Sequence, residues 1–210
     1  MNYFILNLMP LVDKSYCVLG DLPDNLLSFS NRLSRGRPMG NDYPKDPQWR
    51  MSDTYGGIKL PSLIANTDSI LVVERPLKEV FEATGVAMEC LPFVLVNHKG
   101  RVASRDYFIV NPLGNLDCLN LEKSEIEWLD DDVVGIEKFV LDTEKVKDAP
   151  DMFRVKEDRE TIVISHRLAD ELKKVKPTNV FLFDVEQAPS SPRSAKPAKA
   201  SKPAKAKAKG

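Results

Sequence analysis

Two histidines and three cysteines are the side chains best suited to acid–base or nucleophilic work here, and their neighbours decide what they can do. His98 lies in Asn97-His98-Lys99-Gly100, a turn signal in which a solvated loop histidine is the default. His166 opens a helix in Ser165-His166-Arg167. With Cys118 or Ser124 it would form a nucleophile–base couple, but no spacing brings them together. Cys17, Cys90 and Cys118 stand in apolar surroundings and read as core residues. Asp130-Asp131-Asp132 offers hard oxygen ligands. It lacks the alternating ligand positions and the glycine of a calcium loop, so a solvated turn is the expectation. A phosphate-cradling glycine loop, HExxH and CxxC are all missing. Arg75 and Arg167, each at a strand–helix junction, read as partners of a neighbouring carboxylate rather than as anion sites. The reading assigns no catalytic residue, no metal ligand and no cofactor.

The remaining candidate is a surface. Glu122, Glu125, Glu127, Asp130, Asp131 and Asp132 place six carboxylates within eleven residues, with Trp128 among them. Concentrated like charge costs stability through self-repulsion, which suggests a use. Tryptophan among charges is the composition of an interface anchor, against which stands a buried core tryptophan. These seven residues are the candidate partner-binding set.

The elements around them follow from spacing. Tyr107 to Val110 is aromatic and β-branched, a buried central strand that runs through Asn111-Pro112 and Gly114-Asn115 into the acidic segment, read as a charged surface loop. Tyr3 to Leu8 reads as a strand, Tyr16 to Leu19 as a short apolar run that stops at Gly20-Asp21, and Asp24 to Leu33 as a helix. Residues 34–62 carry four prolines and four glycines and read as irregular, pinned by Tyr43, Trp49 and Tyr55. Ile70 to Val73 is a strand, and Leu77, Val80, Phe81 and Thr84 give one helical face that Gly85 stops. Cys90 to Val96 is a further strand leading to the turn at Asn97–Gly100. Val133 to Leu141 reads as strand or buried apolar sequence, and Met152 to Val155 as a short strand. The strand–helix pattern then returns. Ile162 to Ile164 is a strand, Ser165 can cap a helix, and Leu168, Leu172 and Val175 lie on one face. Val180 to Phe183 closes the unit. Two strand–helix–strand units roughly 90 residues apart leave internal duplication and independent packing solutions both open.

The chain predicts an α+β fold: a mixed, mainly antiparallel sheet with a few short helices packed on it, and both units on that one sheet. Residues 1–187 form one globular domain, and 188–210 a disordered, basic Lys/Ala/Pro-rich tail. Arg193 and lysines 196, 199, 202, 205, 207 and 209 lie in the tail, leaving 23 basic and 31 acidic residues in 1–188, a net of −8. Such a body repels nucleic acid and suits a basic protein partner. No apolar run approaches the roughly 20 residues needed to cross a bilayer. Odd, scattered cysteines argue against a disulfide framework and fit a reducing cytoplasm.

The order of features carries a resemblance. It comprises an N-terminal YFIL strand, a Gly-Arg-Pro-rich loop, ERPL opening a helix, CLPF before a hairpin and YFIVNPLGNLDCLNLEKSE. MFRV and IVISHRL with its closing FLF strand complete it. Most of residues 1–186 resemble the eleventh numbered family of bacterial polymorphic-toxin immunity proteins, most specifically in VNPLGNLDCLNLEKSE and in FRV with IVISHRL. The resemblance implies a small cytoplasmic α+β protein that binds and neutralises a cognate toxin encoded nearby, and supplies no catalytic residues. The charge balance and the lack of a long apolar run lead to the expectation of no specific nucleic acid and no membrane insertion, and a homo-oligomer stays open without being indicated. A small enzyme with a site in the 34–62 loop, or a general interaction adaptor, stands as the alternative.

Overall fold

The computed structural model describes residues 2–130 and 132–189. Expectations for 190–210 therefore lie outside the described residues. The fold is α+β, with mostly antiparallel strands and few short helices. The strands divide over two four-stranded and two two-stranded sheets rather than sharing one.

The first sheet is built on a long hairpin. β4 (Met88–Val96) pairs antiparallel with β5 (Val102–Pro112) from Met88↔Pro112 to Val96↔Val102, around the turn expected at Asn97–Gly100. β3 (Val72–Glu74) adds to the other edge of β5, and β2 (Gln48–Arg50) runs parallel beside β4. The second sheet has the order β11-β1-β10-β9, all antiparallel. It comprises β1 (Tyr3–Leu6), β9 (Met152–Arg154), β10 (Ile162–Ser165) and β11 (Leu182–Asp184).

Side-chain alternation then builds the core in three layers. Tyr107 and Ile109 of β5 face one way, onto Trp49, Phe93, Leu95 and two short helices, α1 (Asp24–Leu27) and α2 (Ser30–Ser34). Val110 faces the other way, into a middle layer shared with Ile162 and Ile164 of β10. Val163 points to a third layer with Tyr3, Phe153 and Leu141. β3, residues 107–112 of β5 and β10 are covered on both faces, which is why they read as continuous apolar runs.

Two helices fill the middle layer. α3 (Arg75–Glu82) follows β3 directly and buries Leu77 and Phe81, and Gly85 adopts φ +70° beyond its end. α4 (His166–Lys174) follows β10 directly and buries Leu168, Ala169 and Leu172. Ser165 caps it: its Oγ accepts from the Leu168 N–H at 3.2 Å. Both strand–helix junctions are thus as the sequence predicts. The units differ in context, since β3 is an edge strand and β10 an interior one.

Several expectations are corrected. The helix over 24–33 is two pieces, interrupted at Ser28–Phe29. The short apolar run Tyr16 to Leu19, for which the sequence predicts no element, makes isolated bridges to Lys59, Ala65 and Met51. The irregular 34–62 stretch contains β2. Trp49 pins it from full burial, and Tyr43 through its hydroxyl, which donates to Pro92 O at 2.9 Å. Tyr55 is exposed, as is Val175. A last short strand, β12 (Glu186–Ala188), runs parallel to β8 (Val140–Asp142). Ala188, expected in the tail, is buried there.

Arg154 joins the sheets. It is fully buried at the end of β9, and every hydrogen bond its guanidinium makes goes to a main-chain carbonyl. Nε donates to Pro112 O at the end of β5 (3.2 Å). The terminal nitrogens donate to Leu33 O (3.1 Å), Ser34 O (2.6 Å) and Arg159 O (2.8 Å). Leu33 and Ser34 end α2, where carbonyls lack helical partners. Gly36 makes room: at φ +68° a Cβ there would lie 2.6 Å from Pro112 O and 2.8 Å from Arg154 Cδ. Burial lowers the Arg154 pKa to about 10, so the group remains a cation at neutral pH.

Two outcomes follow. Phe81→Ala and Leu172→Ala are each expected to cost roughly 2–5 kcal/mol in urea denaturation, as truncations of buried large side chains do. Arg154→Met is expected to cost at least about 3 kcal/mol, because it strands buried carbonyls. Arg154→Lys keeps the charge but not the fork, and is expected to recover less than half of that loss.

Candidate functional site

The acidic segment is a β-hairpin, not the loop its composition predicts. β6 (Glu125–Leu129) pairs antiparallel with β7 (Asp132–Lys138). Its root is fixed by short polar contacts. Buried Asn120 accepts the N–H groups of Glu122 and Lys123 on Oδ1, each at 3.2 Å. Ser124 Oγ accepts from Val140 N–H at 3.1 Å and donates to Val140 O at 3.2 Å. Ile126 and its cross-strand partner Ile136 pack on the third core layer. At the tip Leu129 pairs with Asp132, and Asp130 takes φ +55°, a left-handed conformation that aspartate tolerates.

Beyond Ile126 the hairpin stands off the body. Trp128 is 49% exposed, Leu129 66% and Val134 54%, so the core reading of Trp128 is overturned. Glu122, Glu125, Glu127, Asp130 and Asp132 are exposed around them, and Asp131 lies outside the described residues. The structure thus brings Glu125, Glu127, Trp128, Asp130 and Asp132 onto one hairpin, leaves Glu122 at its root, and adds Leu129 and Val134, which the sequence reading missed. The signal was the alternation in Glu125-Ile126-Glu127-Trp128. Two register shifts, at Glu125/Ile126 and Glu127/Trp128, interrupt it. Among the described residues no further strand joins either edge.

Between β7 and residues 156–160 lies a cleft of about 380 Å³, bordered by Arg35, Gly135 and Glu157. Arg35 pairs with Glu160 across its mouth at 3.4 Å. Burial raises the Glu157 carboxyl, and its Oε2 has no hydrogen-bond partner among the described residues.

The other candidates are spent on structure. His98 is held between Asp53 Oδ1 (3.1 Å) and Gly57 O (3.0 Å), and His166 pairs with Asp170 one helical turn on (2.9 Å). Arg75 pairs with Asp106 at 2.7 Å. Arg167 pairs with Asp151, which Ser165 Oγ also reaches. In the 34–62 loop, Glu89 accepts the N–H groups of Met39 and Gly40 and the amide of Asn111. Among the described residues no three His, Cys, Asp or Glu side chains gather as a metal site, and no helix is long and apolar enough to cross a membrane.

Residues 19–187 match the immunity protein family Imm11. The chain belongs to that family. Comparison with curated proteins finds no match. The match covers both sheets save β1, together with the hairpin and the cleft beside it.

Burial pushes the Cys17, Cys90 and Cys118 thiols up to about 12. They stay protonated where an unfolded thiol already ionises. Native protein at pH 8 is therefore expected to react with a disulfide reagent at least about 100-fold more slowly than denatured protein. Because these raised groups ionise first in the unfolded chain, stability is expected to fall as pH climbs from about 9 toward 12, checked by denaturant midpoints across that range.

Proposed function

We propose that this protein binds and neutralises a cognate toxin by direct contact, and that the β6–β7 hairpin is the contact surface. The protein works in the cytoplasm, and the toxin is encoded by a neighbouring gene. The observation that carries the reading is the projecting hairpin, half-exposed Trp128 among carboxylates, in a chain of the immunity family. A buried-core tryptophan would have left the acidic segment as solvated charge. Exposed Trp128, Leu129 and Val134 instead supply apolar area to desolvate, with carboxylates as a rim.

The two parts act on different steps. Charge speeds encounter and selects a basic partner, while desolvated aromatic area slows release. The body's net −8 adds to the same field. No proton transfer or covalent step is involved: neutralisation is occupancy of the toxin's surface.

Kinetics with the purified neighbouring toxin test this. Reversing Glu125, Glu127 and Asp132 to lysine is expected to slow association about tenfold at low salt and flatten its salt dependence. Trp128→Ala is expected to raise the dissociation rate by about tenfold or more with little change in association. Survival of cells co-expressing the toxin should fall in the same order. Full protection by all variants would remove the hairpin from the interface. Absence of binding by the unaltered protein to an active toxin would overturn the immunity reading.

A further inference from the structure

The described chain ends at the root of the acidic hairpin. Asn120, whose Oδ1 holds the N–H groups of Glu122 and Lys123, donates through Nδ2 to Pro189 O at 3.2 Å. Lys138, at the foot of β7, meets Glu186 of β12 at 2.9 Å. One asparagine therefore fastens the start of the acidic segment to the last described residue. Residues 190–210 follow, with Arg193 and six lysines and not one Asp or Glu.

We propose that this basic segment docks on the exposed face of the hairpin, over Trp128 and between the carboxylates of Glu125, Glu127 and Asp132. Charge complementarity selects this occupant: residues 190–210 carry seven cations and no acid, and residues 122–132 carry six carboxylates. Reach is ample, since a five-residue strand spans about 17 Å and 21 extended residues several times that. Tethering at the hairpin's own root gives an effective concentration of about millimolar. The alanines and prolines between the lysines are small enough to lie against Leu129 and Val134. Lysine stems can cover the Trp128 ring with the ammonium group over its face. Each exposed ion pair is worth only about 0–1 kcal/mol, so the contact depends on their number and dissolves in salt.

The segment would then occupy the surface a basic partner needs, a built-in competitor that only a better-fitting surface displaces. That consequence rests on the hairpin being the partner surface; the docking itself does not.

Trp128 is the reporter, because Trp49 is fully buried. Acrylamide quenching of the full chain is compared with a full-length variant in which Arg193 and the six tail lysines are glutamine. At about 20 mM ionic strength the unaltered chain is expected to be quenched about twofold less, and at about 0.5 M the two should coincide. Neutralising Glu125→Gln, Glu127→Gln and Asp132→Asn in the otherwise unaltered chain should raise quenching to the level of the glutamine-tail variant. Equal quenching at low salt overturns the proposal, as does a difference that survives in the neutralised hairpin. A difference that grows with protein concentration also overturns it, since the occupant would then be the tail of a second copy. No toxin enters the measurement, so failure here leaves the toxin-contact reading standing, and failure of toxin binding leaves this one intact.

Discussion

Arg154 is the constraint on which the architecture turns. Two four-stranded sheets that share a helical layer must be held in register, and apolar packing alone is tolerant of sliding. A buried guanidinium is not, because its planar fork fixes the direction of each donor. Arg154 takes its acceptors from the end of β5, from the last turn of α2 and from the 159 loop, so one side chain sets the second sheet against the first. It also satisfies carbonyls at the end of α2, which would otherwise be buried without partners. The positive φ of Gly36 and its contact with Pro112 follow from the same crowding.

Around that tie the polar side chains are largely committed to the fold. Glu89 closes the turn at Met39–Gly40, His98 ties the 53–57 segment to the β4–β5 turn, and Asp151 gathers Ser165 and Arg167 at the start of α4. The hairpin is the exception. Its root is locked by Asn120 and Ser124, while its outer half spends neither its apolar area nor its charge on the body. A base fixed by hydrogen bonds leaves little ordering entropy to be lost by any surface it carries. That division between a satisfied body and an unsatisfied projection is found in a chain of the immunity family.

Much of this was legible in the amino-acid order. The continuous apolar strands, the switch to helical spacing after Val73 and Ile164, the Ser165 cap and the stop at Gly85 are local signals, and each element formed where they stood. The acidic segment was legible as a candidate surface but not as a hairpin. Asp and Glu are depleted in strands, and Asp130-Asp131 lacks the glycine that marks a two-residue turn. The exposure of Trp128 was undecidable from sequence, since the alternation that places Ile126 inward would place Trp128 inward as well. The shift in register between Glu127 and Trp128, and the distance from the core beyond Ile126, decide it.

The sequence by itself determined the class of fold, the buried strands, the two strand–helix units and the separation of an acidic body from a basic C-terminal segment. These depend on hydrophobic period and charge, which act over a few neighbouring residues. Tertiary structure alone decided that the two units belong to different sheets, that Arg154 is a core residue and that Trp128 is not. The acceptors of Arg154 lie at residues 33, 34, 112 and 159. No local propensity reaches across such separations; only the closing of the chain on itself brings those carbonyls to one guanidinium.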